Sequence, residues 1–368
     1  MMEQLTFDTL NRFSYKLEEY TNVSNVKPGT NINVLETFAG AGGLGLGLEL
    51  SGMNTVGAIE NDKAAAKTLR RNRENWNVIE GDIFEIAKEG IANYIENEVD
   101  VLSGGYPCQS FSYAGKRAGM TDIRGTLFRP YSDILSELKP KVFIAENVKG
   151  LVNHDDGRTL DTMIEVFESK GYSVQWNVLN SWDYDVAQKR QRIFIIGIRN
   201  DLKKIEKYSY KFPKPLEYRP VLKDVLKNVP ESKGTDYSEK KRAVLSLVPA
   251  GGSWIDLPDD IAKDYMGASY YSGGGKRGMA RRLSWDEPSL TLTTSPSQKQ
   301  TERCHPTETR PFKIREYARI QSFPDSWYFE GGVGAQYKQI GNAVPVNLAK
   351  YVGKSVVKYL NQFMEEIL

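Results

Sequence analysis

The feature that most constrains this chain is an alternation. From Asn33 to Ile198, short apolar runs of strand length take turns with longer stretches of helical spacing. The runs predict strands at Asn33–Phe38, Thr55–Glu60, Asn77–Glu80, Asp100–Ser103, Lys141–Ala145, Ser173–Leu179 and Arg192–Ile198. Helices are predicted at Gly43–Ser51, from Asp62 to Arg73, and over Ile83–Glu96, Leu127–Leu138 and Thr159–Ser169. Parallel strands need a long crossover, usually a helix, so this text predicts an α/β fold with a mostly parallel, Rossmann-like sheet covered by helices on both faces. Ligands of such sheets bind beyond the carboxyl ends of the strands. Residues just past each strand are therefore the first candidates for a site.

The alternation stops near Asn200. Residues 200–310 hold Pro213, Pro215, Pro220, Pro230, Pro249 and Pro258, the pair Gly251-Gly252 and the run Gly273-Gly274-Gly275, with only short apolar pieces. They read as a second, smaller, loop-rich domain. Helices are predicted again at Ile314–Gln321 and Asn347–Met364. The last aligns Leu348, Val352, Val356, Leu360 and Phe363 on one face, so it is expected to pack back on the first domain. The expected division is an extension at 1–31, with a short amphipathic helix at Thr6–Tyr20, a first domain at 32–199 plus 311–368, and the second at 200–310.

Bulk properties exclude several classes. No apolar run approaches the roughly 20 residues that span a bilayer. Cys108 and Cys304 lie far apart, and His154 and His305 are the only histidines, so no metal site is expected. Low cysteine usage without a leader places the expected location in the cytoplasm. The net charge is only +2, so a nucleic-acid partner requires positive charge concentrated on one face.

The first strand ends in Phe38-Ala39-Gly40-Ala41-Gly42-Gly43-Leu44-Gly45 and opens a helix. Gly40, Gly42 and Gly45 match G-x-G-x-x-G, a pattern that lets backbone approach a ligand at a helix N-terminus. Alone it fits an NAD enzyme, a nucleotide binder or a methyl-donor enzyme. Glu60 ends the second strand, where a carboxylate can accept from ribose hydroxyls. Asp82 ends the third and can hold an amino group, with Ile83 against the ring. Helix capping is the plain alternative for both acids.

Gly104-Gly105-Tyr106-Pro107-Cys108-Gln109-Ser110 follows the fourth strand and carries a thiol beyond the sheet. A lone cysteine is usually buried and inert, but the glycines before it and the polar residues after it favour exposure. Glu146, in Glu146-Asn147-Val148, ends the fifth strand, which neighbours the fourth if the order is regular. Gln188, Arg190 and Arg192 alternate ahead of the seventh, on one side of an extended segment, where cations can orient Glu146 and meet a phosphate. Solvated basic residues are the bland reading.

Taken together, these motifs resemble the bacterial DNA cytosine-5 methyltransferases. The resemblance rests on Phe38–Gly43, Pro107-Cys108-Gln109, Glu146-Asn147-Val148, Gln188-x-Arg190-x-Arg192, the run from Arg315 to Pro324, and Gln339-Ile340-Gly341-Asn342-Ala343-Val344-Pro345. It covers about residues 33–200 and 310–360, and it implies the S-adenosylmethionine-dependent methyltransferase (SAM) fold with 200–310 as target recognition domain. It further implies that SAM is lined by Phe38, Gly40, Gly42, Gly43, Glu60, Asp82, Ile83, Pro107, Leu127 and Asn342. Cys108 would add to C6 of a flipped cytosine, Glu146 would support N3, and Arg190 and Arg192 would assist both. The implied partner is double-stranded DNA, the implied state a monomer working beside a restriction endonuclease.

Ser110–Gly125 reads as a lid on DNA, with Gln109, Ser110, Ser112, Lys116 and Arg117 as contacts. Ser269–His305 is the expected recognition stretch, with Lys276, Arg277, Arg281, Arg282, Ser297, Gln298, Lys299 and Arg303 as candidates; Cys304 is expected to be structural. Three other readings stay open: a tRNA cytosine-5 methyltransferase of the same fold, an NAD-dependent oxidoreductase, and a non-catalytic DNA-binding relative.

Overall fold

The computed structural model describes residues 31–106, 127–204, 209–271 and 278–365. Two compact units emerge. One takes residues 31–180, then Gln191–Pro215 and everything from Val344; the other holds Ser181–Arg190 and Leu216–Ala343. The expected boundaries move accordingly. Residues 311–343 and 181–190 group with residues 216–310. The helix expected at Thr6–Tyr20 lies outside the described residues.

In the first unit β1 (Asn33–Thr37), β2 (Asn54–Glu60), β3 (Val78–Glu80), β4 (Val101–Gly104), β5 (Val142–Val148), β6 (Tyr172–Asn180) and β8 (Gln191–Arg199) form one sheet, in the order β3-β2-β1-β4-β5-β8-β6. Strands β1 to β5 are mutually parallel, whereas β8 runs antiparallel to both β5 and β6. Helices α1 (Gly43–Leu50), α2 (Lys63–Asn72), α3 (Ile83–Glu89), α4 (Phe128–Leu138) and α5 (Arg158–Ser169) alternate with the strands. Helix α3 is shorter than predicted, because the chain leaves it at Gly90, whose φ is 92°.

Val34, Leu35, Val101, Leu102, Val142, Phe143 and Ile144 are all fully buried. Strands sandwiched between helices lose water on both faces, which is why they read as unbroken apolar runs. Strand order reverses beside β1, which has β2 on one side and β4 on the other. In sheets of this kind the crevice for ligands opens at that switch point.

The second unit pairs β7 (Gln188–Lys189) in parallel with β9 (Ser289–Leu290). It holds α6 (Glu239–Ser246), α7 (Asp259–Met266), α8 (Ile314–Ile320) and α9 (Val333–Asn342). Helices α6, α7 and α9 were not among the predicted elements. A core of Tyr237, Val244, Leu245, Leu257 and Tyr265 surrounds the free, buried Cys304. The final helix, α10 (Val346–Glu365), belongs to the first unit, as its apolar face implied. It lies so close to α1 that a Cβ on Gly47 would come within 2.3 Å of the Ala349 Cβ. Among the described residues no helix is long and apolar enough to cross a membrane.

Candidate active site

The glycine loop leaves β1 through Phe38, at φ 55°, and turns at Gly40 and Gly42, at φ 56° and 81°. A side chain at positive φ is costly for most residues, so Phe38 marks a strained turn at the strand end. The glycines serve different ends. A Cβ on Gly40 would meet nothing within 4 Å, so that turn faces open space. Gly42 N-caps α1 without any side-chain cap, and Gly43 begins the helix. Gly45 is glycine for an internal reason, since its Cβ would lie 2.2 Å from Oε2 of Glu36 beneath it.

Glu60 ends β2 nearly buried. Its Oε2 accepts from the Gly40 N–H at 2.6 Å and its Oε1 from the Asp62 N–H at 2.7 Å. Burial raises its pKa, and those backbone donors hold it back down. Helix α2 is capped by Asp62, which accepts from the Ala64 and Ala65 N–H groups, so capping does not explain Glu60. Asp82 does cap its helix, accepting from the Phe84 N–H at 2.9 Å, yet its side chain stays exposed. Ile83 is buried in the core, and Leu127, at the start of α4, packs against the same cluster.

Phe38, Glu60 and Asp82 thus stand at the carboxyl ends of three neighbouring strands. An open backbone turn between two carboxyl groups fits a ligand rich in hydroxyl and amino donors, as SAM is. Asn342 is exposed at the last position of α9, in the other unit.

Beside them, β4 and β5 run in register up to Gly104 and Ala145. The next residues are Gly105 and Glu146, and a Cβ on Gly105 would stand 2.8 Å from Oε2 of Glu146. Glu146 is nearly buried and pairs with Arg192, whose Nε lies 3.0 Å from its Oε1. Burial lowers the Arg192 pKa, and Glu146 pulls it back up. Asn147 donates to the Tyr106 carbonyl at 2.8 Å and fastens the loop after β4 to β5. The Tyr106 ring is locked edge-on to Phe128 at 5.7 Å. Pro107, Cys108, Gln109, Ser110, Ser112, Lys116, Arg117 and the rest of the expected lid lie outside the described residues.

Gln188, Arg190 and Arg192 do not share one strand. Gln188 belongs to β7, Arg192 to β8, and Arg190 to neither. Arg190 is buried, donating to the Leu292 carbonyl at 3.1 Å and the Gly341 carbonyl at 2.9 Å. Gln188 accepts from the Leu292 N–H at 2.9 Å and donates to Gln321 at 2.7 Å. Tyr317 donates to the Thr293 carbonyl at 2.8 Å and accepts from its N–H at 3.1 Å. Side chains of the 188–190 segment and of α8, together with the Gly341 carbonyl, therefore clamp residues 292–293. The task visible for Arg190 is structural, its guanidinium fastening the Leu292 and Gly341 carbonyls.

Two DNA candidates are corrected likewise. Arg282 is buried and spends its guanidinium on the carbonyls of Leu245, Val248, His305 and Glu308 and the Thr309 hydroxyl. Arg303 is buried, bonded to the Glu302 and Thr291 carbonyls, with its pKa lowered to about 10 by desolvation. Arg281 is half-buried and lies 3.4 Å from Glu287. Gln298 and Lys299 are exposed. Ser297 is half-buried, its carbonyl accepting from Lys241 at 2.7 Å. Lys276 and Arg277 lie outside the described residues. Glu36, Gly105 and Asn147 were missed as site residues; the Gly104-Gly105 pair was the one signal for them.

Residues 32–358 match the family model of the C-5 cytosine-specific DNA methylases. The type II methyltransferase M.Sau96I of Staphylococcus aureus is 70% identical over 353 residues, which cover 96% of this chain and 82% of that one. The type II methyltransferase M.Eco47II of Escherichia coli is 53% identical over 359 residues, covering 95% and 84%. Among solved structures, a DNA modification methyltransferase encoded within a prophage (E. coli) superposes with a TM-score of 0.66 at 24% identity. It covers 90% of this chain and 100% of its own, and bears on the fold alone.

Proposed function

The chain belongs to the C-5 cytosine-specific DNA methylases and methylates carbon 5 of cytosine in DNA; we propose that Cys108 is its nucleophile, Glu146 its acid and SAM its methyl donor. The observation that carries this reading is the Glu146–Arg192 pair near the end of β5, beside Gly105, which itself stands three residues before Cys108 in the chain. Phe38, the Gly40 turn, Glu60 and Asp82 would hold the donor. Bound there, SAM supplies a methyl group on a positively charged sulfur.

Carbon 5 of cytosine is a weak nucleophile. The Cys108 thiolate adds to C6, the C5–C6 π electrons move onto the ring, and C5 becomes enamine-like and nucleophilic. Glu146 offsets the charge gathering on the ring by hydrogen bonding at N3 and the exocyclic amino group, and Arg192 holds its carboxyl in place. After methylation the C5 proton leaves to a base, the S–C6 bond breaks with its electrons returning to sulfur, and the double bond reforms. None of this is reachable in a stacked duplex, so the cytosine is flipped out, at about a few kcal/mol.

The substrate in this reading is a short double-stranded sequence contacted through exposed residues such as Gln298 and Lys299. The relatives are named type II methyltransferases, which supports pairing with a cognate restriction endonuclease; in this reading the chain works in the cytoplasm as a monomer.

The test is Cys108→Ala with radiolabelled SAM. Transfer to duplex DNA is expected to vanish while SAM binding persists, and turnover in that variant would refute the covalent route. Duplex DNA with 5-fluorocytosine should trap a protein–DNA adduct, since the fluorine cannot leave as a proton does. Running tRNA in parallel identifies the substrate class; methylation of tRNA alone would overturn the DNA assignment.

A further inference from the structure

Glu36 is a carboxyl group with no task in the proposed chemistry. It is the fourth residue of β1, 1% exposed, next to the fully buried Leu35 and Thr37. Burying a carboxyl this deeply is costly unless it is hydrogen-bonded and paired or neutral. Its Oε1 accepts the Gly45 N–H, in the first turn of α1, at 3.1 Å. Its Oε2 has no hydrogen-bond partner. The fit around it is tight, since a Cβ on Gly45 would fall 2.2 Å from Oε2 and 2.9 Å from the Trp76 ring. Gly45 and Glu36 are therefore a matched pair, one residue lacking a side chain so that the other's can be there.

A second carboxyl takes the other end of the same loop. Glu60 accepts the Gly40 N–H at 2.6 Å. The glycine loop is thus held at Gly40 by one acid and at Gly45 by another, and Gly40 is the turn with open space before it. The two acids act on each other, each on one of two neighbouring strands. Ala58 on β2 and Ser103 on β4 stand level with Glu36, α1 meets it with the Gly45 backbone, and the Trp76 ring lies against Gly45 beside it, so Glu60 is the charged group acting on it among the described residues.

We propose that Glu36 is a positioning residue for the methyl donor: it fixes the first turn of α1 through Gly45, while Glu60 holds the other end of the glycine loop through Gly40. The proposal rests on the reading of this loop as the SAM site. Burial is the main reason Glu36 stays protonated, pushing its pKa up to about 8, with Glu60 adding to the effect. Ionising it would set a second negative charge beside Glu60 in a space of low dielectric, and the loop would rearrange to relieve it.

The experiment is calorimetric titration of the full-length protein with SAM, without DNA, at several pH values, for wild type, Glu36→Gln and Glu36→Ala. Wild-type affinity should fall about tenfold between about pH 7 and pH 9, the fall expected when a neutral acid is the competent form. Glu36→Gln, which cannot ionise but keeps the carbonyl that accepts from Gly45, should bind within about threefold of wild type near pH 7 and lose the alkaline fall. Glu36→Ala should bind about tenfold or more weakly at every pH. An alkaline fall in Glu36→Gln equal to that of wild type would overturn the proposal, as would full affinity in Glu36→Ala. If Glu36→Ala does not fold, as judged by circular dichroism, the Glu36→Gln profile decides alone. Wild type failing to bind SAM at any pH would instead sink the reading of the loop.

Discussion

Arg190 and Arg192 stand two residues apart in one sequence motif, yet the two units use them differently. In the sheet unit Arg192 meets a carboxylate, Glu146, at 3.0 Å. In the other unit Arg190 meets the Leu292 and Gly341 carbonyls. A guanidinium on a carboxylate orients an acid and adjusts its charge. A guanidinium on backbone carbonyls fastens loops that have no strand partners of their own. The contrast is one of emphasis, since Arg310 and Arg319 of the loop-rich unit pair with Glu316 and Asp325. Buried Arg282, Arg303 and Arg315 bond carbonyls in the loop-rich unit, while the acids of the sheet unit hold the N–H groups of a ligand loop. A region with little regular structure must satisfy its backbone groups with side chains.

The largest effect expected from this contrast is in catalysis. Arg192→Met should lower kcat about 100- to 1,000-fold by single-turnover methylation, while Tm moves by only a few degrees. A variant retaining most of its activity would remove Arg192 from the site. Arg190→Met should do the reverse. It strips a buried donor from two carbonyls and should lower the unfolding free energy by about 2–4 kcal/mol in urea titrations. Full stability with a kcat loss as deep as that of Arg192→Met would erase the distinction.

Gly105→Ala is expected to come next. Its methyl would push the Glu146 carboxyl aside and lower kcat about tenfold with the fold intact; unchanged kcat would mean that the carboxyl tolerates displacement. Glu36 gives a pH-dependent difference. Its raised pKa means that the folded state prefers the protonated form. The stability it contributes is complete below the ordinary carboxyl value and is lost as pH rises through about 8. Tm of wild type should therefore fall relative to Glu36→Gln across that window, and parallel curves would contradict it. The smallest effect belongs to the exposed Lys299. Lys299→Ala should weaken DNA binding a few-fold and reduce the salt slope by about one, whereas Arg282→Met should show a stability loss first.

Much of the sheet was legible because apolar runs and helical spacing report burial on two faces. The direction of β8 was not, because periodicity is the same in a parallel and an antiparallel strand. Helices α6 and α7 went unread in a proline- and glycine-rich stretch, although Ser238 caps the first and Asp259-Asp260 opens the second after Pro258. Eight-residue helices carry too few turns for spacing to stand out. Glu36 was absorbed into an apolar run, since nothing in Asn33–Phe38 says which side chain will lie under Gly45.

By itself the sequence determined the family and the places of Glu60, Asp82 and the glycine loop at the carboxyl ends of their strands. These follow from local pattern and from the order in which strands and helices occur. Glu146, expected at a strand end, lies within β5, which runs on to Val148. Tertiary structure alone decided which arginine meets an acid and which meets carbonyls, why Gly45 and Gly105 lack side chains, and where residues 311–343 belong. Hydrogen bonds reach only about 3 Å, so a polar side chain's task depends on which acceptor folding brings beside it, often from more than a hundred residues away.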